Sequence, residues 1–412
     1  MTTQNPMYGL LEMPEFSIFR ELVTQNIGYF PKISIDQIGL SGHRVRIFRD
    51  PPAVDINYSE RALARYIEMA DMISIAKERN SLAVLRGGLF ALVGGDFIRR
   101  NRFVGLAFIA KGFQEVNIKK LPHKEIISNA LAKAATINGN IYLIDLLLPL
   151  AHEIGHVSEA QALCPDAIMN DGIYETYRIN YEQIVGFTGE FDYSRSMADA
   201  RSSLNLSILR EEAAGDFFGV SAMSWLLNKR LKTGDIFPLV ELVTGLLIFP
   251  LVMALEAISL KHLGTQREIQ EVTLAMHCRY SLMIDSVRAS TKYMFSKKNN
   301  FAQIEPVIDD AINDVVRDFD ALYRLTWEAF ISYAKDASAI VELDNVEVLN
   351  LVGNISVDVR RRLAIADYLD TLSNEVHGYP LRPDNQKKLQ DFESALRTFD
   401  TIITDGKNLL LR

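Results

Sequence analysis

Histidine is scarce in this chain, 7 in 412 residues, and two of the seven stand four apart in His152-Glu153-Ile154-Gly155-His156. On a helix, residues i and i+4 share a face with Cβ atoms about 6 Å apart. That spacing lets both imidazoles reach one tetrahedral metal ion. Glu153, the next residue in the turn, is placed to take a proton from a water held by such an ion. Five residues thus supply two ligands and a general base. The uncharged Ile154, Gly155 and Val157 suit a half-buried helix, and Pro149 suits a first helical turn, where proline is tolerated. The alternative is a surface helix carrying two histidines and no metal.

A catalytic metal of this kind needs a third protein ligand and an open position. Downstream, Glu212 and Asp216 are again i and i+4, in Arg210-Glu211-Glu212-Ala213-Ala214-Gly215-Asp216. Glu212 is the expected ligand. Asp216 is expected to accept the free N–H of a ligating histidine, His152, which fixes its tautomer and ring orientation. Glu211 is the rival ligand, rotated about 100° around the helix. Choosing it forfeits the carboxylate one turn on, so Glu211 is expected to face solvent. Ala213, Ala214 and Gly215 are small enough for two helices to approach closely around an ion. The competing reading is a solvated acidic face.

The H-E-x-x-H of residues 152–156 followed by the E-x-x-x-D of residues 212–216 resembles the pattern of the gluzincin metallopeptidases. A looser resemblance, over roughly residues 140–290, is to the Lit-type phage-exclusion peptidases. It rests on the order of these motifs, on Trp225, and on His277 followed by Arg279 after a long apolar segment. Membrane-embedded zincins related to the CAAX-prenyl proteases share that order. What the resemblance implies is a Zn2+-dependent endopeptidase that cleaves an intracellular protein, in the setting of bacterial phage defence. His152, His156 and Glu212 would hold the zinc and Glu153 would move the proton. His277, with Arg279, is the expected group to steady the tetrahedral oxyanion; otherwise His277 is an ordinary core histidine. Two further readings stay open: a metal-stapled regulatory or binding protein without hydrolysis, and a membrane-associated zincin.

The bulk numbers narrow the class. Hydrophobic residues make up 48% and charged residues 23% of the chain, ordinary for a globular protein. A net charge of −8 argues against nonspecific nucleic-acid binding. Cys164 and Cys278 lie far apart and imply no disulfide framework. Met1–Phe16 lacks the charged and apolar regions of a signal peptide. Together these point to the cytoplasm; the resemblance implies a protein or peptide substrate, with a regulatory protein partner as a further expectation.

The expected fold is α+β and mostly α-helical. A gluzincin-like metallopeptidase core over residues 121–290 lies between a mixed region, 1–120, and a helical accessory region, 291–412. Alternating apolar residues over 45–48 and 53–58 read as two short strands. Ser59 caps a helix running to Arg79. Glycine pairs break the apolar runs of residues 82–118, which read as strands and turns. Phe103–Ile109 is the candidate edge strand for a substrate backbone; its continuous apolar run fits a plain buried strand better. A helix over Lys119–Ile137 precedes the metal helix, Ile141 to about Leu163, whose first half is apolar all round. Residues 165–195 are irregular, a lid or ordered padding. Ser196–Leu231 carries the acidic ligand. Residues 237–260 are strongly apolar, but the uncharged stretch between Glu241 and Glu256 is 14 residues, shorter than the roughly 18 that read as a membrane span. A buried helix is expected there. Amphipathic helices are read over Ile304–Ala334, Val357–Val376 and Asp384–Asp400.

Overall fold

A computed structural model describes residues 6–36, 43–49, 52–99, 104–116, 123–136, 139–165, 206–230, 237–261, 266–296, 301–344, 346–348 and 351. The protein is mostly helical with one small sheet. In chain order the elements are α1 (Pro6–Glu12), α2 (Pro14–Ile27), β1 (Lys32–Asp36), β2 (Arg44–Arg49), β3 (Pro52–Ser59), α3 (Glu60–Arg79), α4 (Leu82–Arg99) and α5 (Gly105–Glu115). They continue with α6 (His123–Ala134), α7 (Asn140–Gly155), α8 (Ser158–Gln161), α9 (Leu206–Arg230), α10 (Phe237–Lys261), α11 (Gln266–Phe295) and α12 (Phe301–Val341). The expected irregular segment 165–195 and the two expected helices beyond residue 351 lie outside the described residues, apart from Pro165 itself.

The chain divides into two compact units. The first comprises residues 1–74, 123–254 and 270–324, and the second residues 75–122, 255–269 and 325–412. The first unit is built around α7. Leu143, Ile144, Leu146, Leu147, Leu148, Leu150 and Ile154 are all fully buried, as a helix apolar on every face must be. Pro149 stands in its interior rather than in a first turn. Proline there removes one intrahelical hydrogen bond and costs about 3 kcal/mol, which the all-round burial of the leucines offsets. The helix ends earlier than the sequence suggests, at Gly155, with His156 capping it and Val157 extended (ψ 141°). Cys164 lies two short turns beyond.

Three elements fix α7. The sheet, ordered β1-β3-β2, packs on it through β2 and β3. β1 runs parallel to β3 and β2 antiparallel. Ile56 and Tyr58, two residues apart on β3 and so on one face, are both fully buried. The Tyr58 hydroxyl donates to the Leu146 carbonyl at 2.7 Å, tying sheet to helix. α9 crosses α7 on glycines: a Cβ built on Gly155 would stand 2.6 Å from Gly215 Cα, and one on Gly215 2.7 Å from His152 Cε1, so a side chain at either position would have to displace its neighbour. Finally, Arg230 at the end of α9 donates to the carbonyls of Ala134 and Thr136 at 2.9 and 2.8 Å, closing the C-terminus of α6.

In the second unit, residues 82–99 and 105–115 are helices, not the strands and turns that their glycines suggest, so residues 105–109 of the expected edge strand form the start of α5. The glycines recur at seven-residue spacing, Gly87 and Gly94 on α4 and Gly105 and Gly112 on α5. Seven residues are close to two helical turns, so each pair lies on one face. A Cβ on Gly94 would stand 2.9 Å from the Gly105 carbonyl oxygen, and one on Gly112 2.8 Å from that of Gly87. These glycines let two backbones touch; they do not make turns. Phe90, Phe97 and Phe108 fill the flanks, with Tyr333 against Phe90 at 4.9 Å. Arg86 pairs with Glu115 and Asp336 at 3.1 and 2.7 Å. Among the described residues no helix is long and apolar enough to cross a membrane, α10 included.

Candidate metal centre

The i,i+4 spacing on α7 places His152 and His156 as a facing pair. Their rings meet edge to face with centroids 4.7 Å apart, and their Nε2 atoms are 3.1 Å apart. α9 brings Glu212 to the same point, despite the long stretch of chain between. One carboxylate oxygen lies 3.3 Å from His152 Nε2 and the other 4.0 Å from His156 Nε2. Among the described residues, His152, His156 and Glu212 are the group whose ligand atoms converge, all within 4.8 Å of one another. Glu211 is exposed, on the side of α9 turned away from the pair. Cys164 is buried and outside the group.

Such a group could hold a metal ion. Zinc bonds of 2.0–2.1 Å in a tetrahedron hold donor atoms about 3.3 Å apart, and the three edges seen here are 3.1, 3.3 and 4.0 Å. The donor chemistry, two imidazoles and a carboxylate, suits the same ion. His152 Nδ1 stands 3.0 Å from Asp216 Oδ1, close though bent away from a linear hydrogen bond. A carboxylate favours the proton on that nitrogen, which leaves Nε2 facing Glu212 and His156. Without a metal, a proton on His152 Nε2 satisfies both neighbours. Burial works against the charged ring, but the carboxylates of Asp216 and Glu212 outweigh it and push the His152 pKa up to about 9. His156 moves the other way, to about 4, through burial and the charge of His152.

Arg279 on α11 holds the two carboxylates. Its Nε and Nη2 donate to the two oxygens of Asp216 at 2.9 and 2.7 Å, and its Nη1 lies 3.1 Å from Glu212. Burial alone would raise the Asp216 and Glu212 pKa values, yet the guanidinium and His152 hold both below the ordinary carboxylate range. Asp216 is 1% and Arg279 9% exposed, so this fork works in a low-dielectric setting where each charge needs the other. Phe249 of α10 forms the wall. It lies 5.3 Å from the His152 ring and beneath the Arg279 guanidinium at 5.6 Å.

Glu153 is half-buried on the face of α7 beside the pair. Its negative charge contributes to raising the pKa of Tyr58 and of Arg279. His277 lies on α11, but its side chain is outside the described residues. Arg279 is committed to Asp216 and Glu212 rather than turned toward a substrate. Two contributors have no counterpart in the sequence motifs. One is Phe249, which reads as one apolar residue among many. The other is Arg279, whose guanidinium holds Asp216 and Glu212 together and which the sequence pairs with His277 instead. Comparison of this chain with protein-family models, with curated proteins and with solved structures finds no match.

Proposed function

We propose that the chain is a zinc-dependent hydrolase that cleaves a peptide bond. The observation that carries the reading is the convergence of His152, His156 and Glu212 on one point, with Glu153 on the same helix as the two histidines. A zinc ion in that group would make a bound water acidic near neutral pH and polarise a carbonyl. The residues of the chain do the rest. Glu153 takes the proton of the attacking water on its carboxylate and returns it to the departing amine. Asp216 holds the His152 ring in register from its Nδ1 side, and Arg279 keeps Asp216 and Glu212 ionised and in place. Phe249 excludes water from behind His152, which strengthens every charge contact in the site.

β2 is an edge of the sheet among the described residues and packs against α7. It takes the place of Phe103–Ile109 as the strand along which an extended peptide would lie. The resemblance to gluzincins supports this reading, and the looser resemblance to the Lit-type peptidases supports a setting in phage defence. The test pairs metal analysis with Glu153→Gln. Wild type and variant should each bind about one zinc per chain, and only the wild type should cleave unfolded casein. Equal cleavage by both removes Glu153 from the chemistry. Zinc binding with no hydrolysis of any protein by either would favour a metal-stapled binding protein.

A further inference from the structure

The two histidines of the candidate centre are held in different ways. His152 is oriented through its ring: Asp216 Oδ1 lies 3.0 Å from its Nδ1, and Arg279 fixes Asp216 in turn. Among the described residues no side chain does the same for His156, whose ring meets its neighbours through Nε2. Its orientation must come from its backbone, and that backbone is the very end of α7. His156 is the cap residue, and Val157 is already extended. The N–H groups of His156 and Val157 reach back only three residues, to the carbonyls of Glu153 and Ile154 at 3.3 and 3.0 Å. A carbonyl at a helix end has no partner within its own helix, and helix ends fray. For His156 the partner comes from α8: Gln161 Nε2 donates to its carbonyl oxygen at 3.2 Å. α8 holds that donor still. Val157 and Ala160 are fully buried, the Gln161 N–H is bonded to the Val157 carbonyl at 2.9 Å, and the short helix packs on α2, α7 and α9. The chain thus turns straight after the second histidine, and a side chain five residues on ties down the carbonyl left at the turn.

We infer that Gln161 is a positioning residue of the metal centre: its amide fixes the His156 backbone and so aims the His156 ring at the point where His152 and Glu212 converge. The inference rests on the metal-binding half of the peptidase reading and not on hydrolysis. It adds a contributor that lies outside both ligand motifs. Without the bond, the His156 ring samples orientations that miss the ion. Only the aligned fraction then binds, and the apparent affinity falls by that fraction. Because Asp216 holds His152 independently, the loss falls on one ligand and leaves the other two in place.

The test compares the full wild-type chain with three variants. Gln161→Met keeps the length of the side chain and removes the donor, and Gln161→Lys restores an N–H donor. Tyr29→Phe is the control: it removes the other side-chain tie to α8, from the Tyr29 hydroxyl to Glu159 at 3.3 Å, and leaves Gln161 alone. Zinc affinity is read by chelator competition, and ligand geometry by the visible absorption of the cobalt-loaded chain. Gln161→Met should bind zinc about 3- to 10-fold more weakly, the range that one net hydrogen bond covers, with altered cobalt bands. Gln161→Lys should recover most of the affinity and the wild-type bands, and Tyr29→Phe should match wild type in both. Wild-type affinity and cobalt bands in Gln161→Met overturn the inference. So does a weakening that Gln161→Lys does not rescue, an equal weakening in Tyr29→Phe, or a loss of fold in Gln161→Met by circular dichroism, which makes the residue a structural one. Each of these results leaves the peptidase reading standing while the wild type cleaves casein. A wild type that binds no zinc overturns both.

Discussion

Adding one methyl group at Gly215 should damage the site more than any other change of its size. A Cβ there would stand 2.7 Å from His152 Cε1, 2.8 Å from its Nδ1 and 3.1 Å from its carbonyl oxygen. Ordinary carbon contacts fall at about 3.5–4.0 Å, so relief needs a displacement of about 0.8 Å or more. The ring cannot supply it, being held by Asp216 at 3.0 Å on one edge and Phe249 at 5.3 Å behind. The helices must part instead, and Gly155 against Gly215 shows that they are already in backbone contact. Alanine gains about 1 kcal/mol over glycine in helix propensity, against an overpacking cost of about 1–3 kcal/mol. Gly215→Ala should therefore lie between neutral and about 2 kcal/mol less stable without metal, by urea denaturation. Loss of ligand alignment should weaken zinc about 10- to 100-fold by chelator competition. Gly219→Ala is the control one turn on. Its Cβ would meet Leu148 Cδ1 at 3.0 Å and the His152 backbone no closer than 3.6 Å, and a leucine methyl can turn aside. That variant should keep its zinc and gain up to about 1 kcal/mol. Were Gly215→Ala to match Gly219→Ala in both measurements, the close glycine crossing would not be what seats His152.

Arg279→Met should remove the guanidinium from Asp216 and Glu212 and leave the buried Asp216 carboxylate without its two-pronged partner, a loss of about 3–5 kcal/mol in urea denaturation of the metal-free protein. Zinc binding should depend on pH with a defined sign. With His152 near 9 and His156 near 4, one proton occupies the pair at pH 7 and the ion must displace it. Affinity should rise about tenfold per pH unit up to about pH 9, and calorimetry in two buffers should record the proton released. Stability of the metal-free protein runs the opposite way. The raised His152 pKa stabilises the fold fully below about pH 6.5 and is lost as pH rises through about 9. Asp145 is 2% exposed with one oxygen unpartnered, and burial together with Asp71 raises its pKa well above the ordinary value. Unfolding at neutral pH lets it ionise, so the native carboxylic acid costs stability above about pH 4. Asp145→Asn should be more stable than wild type at pH 7, with the difference closing toward pH 4.

What could be read from the chain depended on how local the geometry was. His152, Glu153 and His156 lie within one turn and a half, and helix periodicity alone puts the histidines on one face. Glu212 and Asp216 were legible for the same reason, and the small residues between them, Ala213, Ala214 and Gly215, announced a close crossing that the structure shows. Burial of the α10 segment followed from its length. Phe249 could not be found this way, because its place behind His152 depends on how α10 packs, and one aromatic residue in a long apolar run leaves no periodic trace of that. β1 was passed over although Ile33 and Ile35 alternate across it. The misreading of residues 82–115 has a different cause. Glycine pairs suggest turns when counted singly, and only the seven-residue spacing of Gly87 with Gly94 and Gly105 with Gly112 reveals a surface for helix contact.

The order in which the charged residues are synthesised follows from the Arg279 fork. Asp216 and Arg279 are separated by 63 positions, and a ribosome adding about 5–20 residues per second takes several seconds to cross that interval. Through those seconds the carboxylates of α9 have the His152 imidazolium as their positive partner, and Asp216 lacks the two-pronged donor that a deeply buried carboxylate needs. Firm seating of α9 on α7 is therefore expected only once the guanidinium is made. A nascent chain halted before residue 279 has every expected zinc ligand but holds them more loosely than the finished chain.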